Sequence, residues 1–155
     1  LDTGLFTGHQ KMTDAWMAFR NFVEATEDLP IGMLIRGGCH ADPGDDVIAA
    51  YEAPYADGAS KAGARAFPLM IPLSPDAPDA ATGQGVLDTL REDARPKLLL
   101  WGEQDQVIPP KTAHRLAEAI GGVDAVEFYP EAGHFLQEDT GEAIGQRIAE
   151  WLSAG

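Results

Sequence analysis

Apolar positions follow two different rhythms along this chain. In the last third, "KLLLWG" (Lys97 to Gly102) is a short apolar run between Pro96 and Gly102, the pattern of a strand buried on both faces. "KTAHRLAEAI" follows, with Ala113, Leu116, Ala117 and Ile120 at i, i+3, i+4, i+7, which predicts a helix entered through Pro109 and Pro110 and stopped by Gly121 and Gly122. "AVEFYP" predicts a second short strand ending at Pro130. "GEAIGQRIAEWL" then places Ile144, Ile148 and Leu152 at helical spacing, with Trp151 alongside. Strand, helix, strand, helix at this spacing implies neighbouring parallel strands joined by a right-handed crossover.

The earlier residues have a different texture. "TDAWMAFRNFVEA" sets Trp16, Phe19 and Val23 on one helical face, with Thr13 or Asp14 as N-cap. "DDVIAAYEAP" predicts a short helix from Asp45 or Asp46 that ends before Pro54. "AFPLMIPLSPDAPD" is rich in both proline and apolar residues, and predicts an irregular segment packed over something else. "TGQGVLDTLRED" predicts a helix through Val86, Leu87 and Leu90 that leads into the strand at Lys97. Two βα units cannot cover both faces of a parallel sheet or protect its edges. The α/β part is therefore expected to be the end of a larger sheet, with "LDTGLFTG" as the last residues of a preceding strand and its loop.

Composition narrows the function classes. The chain has 155 residues, 45% apolar and 23% charged, which are globular proportions. Its 25 acidic and 11 basic side chains give a formal charge of -14, a surface that repels phosphate backbones, so nucleic acid is not an expected partner. No apolar run is long enough to span a bilayer, and no secretory pattern opens the chain. A cytoplasmic protein without a membrane partner is expected. Cys39 is the single cysteine and cannot form an internal bridge, while His9, His40, His114 and His134 never pair at ligand spacing. Neither a metal nor a cofactor is expected.

Chemistry in an α/β sheet belongs on the loops beyond the carboxyl ends of the strands. Asp105 lies three residues past Gly102, and His134 four past Pro130. Their separation is one helix plus one strand, so adjacent strands would bring the two loops together. An aspartate that accepts the Nδ1 proton of histidine fixes its tautomer and leaves Nε2 as a general base. Asp2, just beyond the end of the preceding strand, is a competing acid. No G-x-nucleophile-x-G turn is present, since Gly83 and Gly85 flank only Gln84.

"KLLLWGEQDQVIPP" and "FYPEAGHFLQED" resemble the C-terminal half of an α/β-hydrolase. "AAYEAPYADGASKAGARAFPLMIP" is similar to the cap segment of haloalkane dehalogenases, and "TGLFTG" to the start of that cap. The resemblance implies the C-terminal portion of an α/β-hydrolase fold, two parallel strands with helices, preceded by a mostly helical cap domain. It divides the chain into 1–8, the end of a core strand and its loop; 9–80, the cap; and 81–155, the core portion.

It also implies hydrolysis of a carbon–halogen bond through an aspartyl ester, with Asp105 orienting His134 and His134 activating water. The partners would be that water and a small apolar substrate, halogenated by the same resemblance. The nucleophile would lie outside these residues, leaving this fragment inactive alone. Phe67, Pro68 and Ile71 match pocket positions. Trp16 is either a halide-binding donor or packing, and Phe19 aligns closer to the expected donor position. An epoxide hydrolase, a serine esterase and a non-catalytic binding remnant remain open.

Overall fold

The computed structural model describes residues 1–154. Its sheet has two strands, β1 (Lys97–Gly102) and β2 (Val123–Tyr129), running parallel with Leu99 opposite Val126 and Gly102 opposite Tyr129. Leu99, Leu100, Trp101 and Gly102 are all buried, and since side chains alternate along a strand, this end of β1 is covered on both faces. The other edge of β1 meets the start of the chain, where the Asp2 amide donates to the Leu100 carbonyl at 3.2 Å.

Eight α-helices accompany the strands among the described residues. Four precede residue 71: α1 (Asp14–Ala25), α2 (Ile31–Gly38), α3 (Asp45–Glu52) and α4 (Ala62–Met70). The other four are α5 (Ala80–Glu92), α6 (Lys111–Ala119), the short α7 (Leu136–Asp139) and α8 (Gly141–Ala154). None is long and apolar enough to cross a membrane. Thr13 caps α1 by accepting the Trp16 amide at 3.1 Å, the kind of cap that contributes about 1 kcal/mol.

Two cores form. The first joins Val23, Leu29, Ile31 and Ile35 of the early helices; the second joins Leu100, Ala132, Leu136 and Ile144 around the sheet.

Three elements depart from the sequence reading. Residues Ala66 to Met70 belong to α4 and are not irregular, although Pro68 lies inside that helix. The Arg20 guanidinium accounts for this: it donates to the carbonyls of Pro68 at 2.6 Å and Leu69 at 2.9 Å, supplying a partner to the open end of the helix. Helix α2 forms in a stretch that the sequence reading assigns to no element. At the end of α8, Leu152 is 66% exposed, not buried in the stripe, and the neighbouring Trp151 donates to Asp124 at 3.2 Å.

Candidate active site

The loop after β1 and the loop after β2 are forced into contact by their backbones. The amides of Glu103 and Gln104 donate to the carbonyls of Tyr129 and Ala132, both at 3.0 Å. Gly102 permits this approach, since a Cβ there would collide with the carbonyl oxygens of Ala132 and Gly133. Farther along the first loop, the Trp101 indole donates to the Ile108 carbonyl at 2.8 Å and ties the loop to the buried strand.

Asp105 sits at the centre of that loop with its side chain fully buried. Its Oδ1 accepts the amides of Val107 at 2.7 Å and Ile108 at 2.9 Å, while its Oδ2 lies 2.9 Å from His134 Nδ1. A carboxylate has only acceptors, so Nδ1 carries the proton and Nε2 is left with a lone pair. The expected pair of loops therefore does bring Asp105 and His134 together.

Asp2 is the third member of the cluster, with its carboxylate within 4.8 Å of both Asp105 and His134. It accepts the Gly102 amide at 3.1 Å, whereas Asp105 occupies Nδ1. Burial first, and then the charge of Asp105, push its carboxyl up from 3.8 to about 8, which favours a proton on Asp2 in the folded state.

The folded state thus holds a proton that the unfolded chain releases between pH 3.8 and about 8. The stability that Asp2 contributes is fully present below the lower value and is lost as pH rises through the upper one. Chemical denaturation across this window should show stability falling with pH, and Asp2→Asn should flatten the slope. An unchanged slope in the variant would exclude a shared proton.

A carboxylate absent from the sequence reading fixes the histidine loop to the early helices. Asp139 accepts the amides of Gly133 and His40, both at 2.8 Å, and of Ala41 at 2.9 Å. The Gly38 carbonyl at the end of α2 accepts the His134 amide at 2.7 Å. Gly133 has no room for a side chain against Gly38 and His40. The only sequence signal was an acidic residue in a short segment after the histidine, and nothing local shows that it reaches residues about a hundred positions earlier.

The apolar candidates take different places in the structure. Trp16 is 7% exposed and lines a cavity between the Thr3–Thr13 segment and α6. Phe19 packs against the core of the early helices, one turn along α1. Phe67 is 72% exposed on α4, and Pro68 and Ile71 are half-buried beside it; none of these four lines the Trp16 cavity.

No protein-family model matches the chain. It is 32% identical over 145 residues to a haloalkane dehalogenase of Mycobacterium marinum, an overlap of 94% of this chain and 49% of the relative. A haloalkane dehalogenase of Psychrobacter cryohalolentis is 28% identical over 153 residues, covering 97% of this chain and half of that protein. Among solved structures, the haloalkane dehalogenase DpaA of Paraglaciecola agarilytica superposes with a TM-score of 0.82 at 25% identity, over 96% of this chain and 50% of that one. The chain spans about half the length of the curated relatives it matches.

Proposed function

We infer, from a chain that is haloalkane dehalogenase-like along nearly its whole length and carries the C-terminal portion of an α/β-hydrolase fold, that the full-length protein hydrolyses the carbon–halogen bond of a small haloalkane. The observation that carries this reading is the 2.9 Å contact between His134 Nδ1 and a buried Asp105 on adjacent loops, in a chain similar to dehalogenases.

The reaction divides into two displacements. A carboxylate nucleophile, supplied from outside these 155 residues, attacks the halogen-bearing carbon; the carbon–oxygen bond forms as halide leaves with the carbon–halogen electron pair. His134 Nε2 then takes a proton from water as the water oxygen attacks the ester carbonyl. On collapse the alkoxide leaves with the carbon–oxygen electron pair and takes that proton from His134 as the alcohol forms, and the nucleophile's carboxyl loses a proton to solvent to restore the carboxylate. The sum is haloalkane plus water giving alcohol, halide and a proton. Asp105 holds the imidazole in the tautomer that can accept that proton and stabilises the charge it gains. The early helices act as a cap that keeps water from the first step, where a desolvated carboxylate is the better nucleophile.

The full-length protein should release halide from 1-bromobutane at a rate well above its hydrolysis of 1,2-epoxybutane or p-nitrophenyl butyrate. Turnover of the ester or the epoxide with no halide release would replace this reading by that of an esterase or an epoxide hydrolase.

A further inference from the structure

The cavity lined by Trp16 has a volume of about 300 Å³, at the small end of ligand sites. Leu5, Met12, Leu87, Ile108 and Leu116 give it apolar walls beside the indole. Three cations, Lys11, Lys111 and Arg115, also line it, and no aspartate or glutamate does, in a chain where 25 of 155 residues are acidic.

The pairing of charges elsewhere makes this distribution informative. Arg36, Lys61, Arg91, Arg95, Lys97 and Arg147 each hold a carboxylate within 4.0 Å; of the five cations that hold none among the described residues, Lys11, Lys111 and Arg115 line this cavity, while Arg20 and Arg65 lie elsewhere. Lys111 and Arg115 are four apart on α6, so their side chains leave the same face of the helix. Lys111 also sits in the first turn, at the positive end of the helix dipole, with no acidic residue in that turn to offset it. The three cations line one cavity in a protein of formal charge -14. An anion in the cavity would satisfy all three, and the walls offer it an apolar environment.

We propose that this cavity binds an organic anion with an apolar body, a medium-chain alkyl carboxylate, with its head group held by Lys11, Lys111 and Arg115 and its chain lying against Trp16 and Leu116. Neither Asp105 nor His134 lines the cavity, although Val107 and Ile108, whose amides hold Asp105, do; binding there can fail or succeed independently of the reaction inferred above.

Calorimetric titration of the full-length protein with octanoate, octan-1-ol and inorganic phosphate tests both halves of the site. Octanoate should bind at least roughly tenfold more tightly than either of the others, the alcohol lacking the charge and the phosphate the chain. Octanoate should also change tryptophan fluorescence, and Trp16→Phe should remove that change. In the Lys111→Gln, Arg115→Gln double variant, octanoate affinity should fall about tenfold while octan-1-ol affinity stays within about twofold. Both substituted residues are exposed, so the fold is retained, and the comparison of three ligands on the unaltered protein stands without any variant. Equal affinity for octanoate and octan-1-ol, phosphate binding as tight as octanoate, or octanoate affinity unchanged in the double variant would each overturn the proposal.

Discussion

Asp105→Asn in the full-length protein should lower kcat by about 10⁴-fold, the scale set when a triad histidine is held in the wrong tautomer. The prediction follows from which oxygen is already committed. Oδ1 accepts two backbone amides, from Val107 and Ile108, and only an acceptor can occupy that position. The asparagine must therefore keep its carbonyl oxygen there and turn its NH₂ toward His134. An NH₂ facing Nδ1 at the 2.9 Å contact requires that nitrogen to be the acceptor, which moves the ring proton to Nε2. The nitrogen that should take a proton from water then already carries one. The loop keeps both its amide bonds, so the melting temperature should change little while activity collapses. Steady-state halide release beside a thermal melt checks both halves, and activity within tenfold of the unaltered enzyme would show that Asp2, not Asp105, orients the base.

His134→Gln should separate the two displacements proposed above. In that scheme the first uses the nucleophile and the substrate alone, while the second needs a proton acceptor for water. The variant should release about one equivalent of bromide per protein and then stop, with steady-state turnover lower by roughly 10⁴-fold or more. Intact-mass measurement should find the protein heavier by one alkyl group. Continued turnover beyond the first equivalent would remove His134 from the second step, and absence of the adduct would remove the ester.

Both variants act on a pair whose approach could be read from the sequence. "KLLLWG" is apolar at four consecutive positions and fenced by proline and glycine, which leaves few alternatives to a buried strand, and β1 has those bounds. The 29-residue interval between Asp105 and His134 holds one helix and one strand, so parallel pairing brings the two loops together, and this is the arrangement found.

The residues that fix this pair in place were less legible, because their partners lie far along the chain. "IGMLIRGG" ends in two glycines and is only eight residues long, too weak a helix former to stand out; α2 exists because Ile31 and Ile35, one turn apart, are both buried in the early-helix core. Pro68 argued against helix until Arg20, 48 positions away, was found donating to its carbonyl. Asp2 had the character of an acid in sequence. Only burial next to a second carboxylate makes it a proton carrier.

The Asp139 carboxylate, which joins Gly133 to His40 and Ala41, restricts how the molecule can breathe. Lifting the Gly38–Ala41 corner would break the Asp139 bonds to His40 and Ala41, and would also take away the Gly38 carbonyl that holds the His134 amide. Opening at that corner and freeing the loop that carries His134 are one event, so the Gly38–Ala41 corner acts as a clasp on that loop.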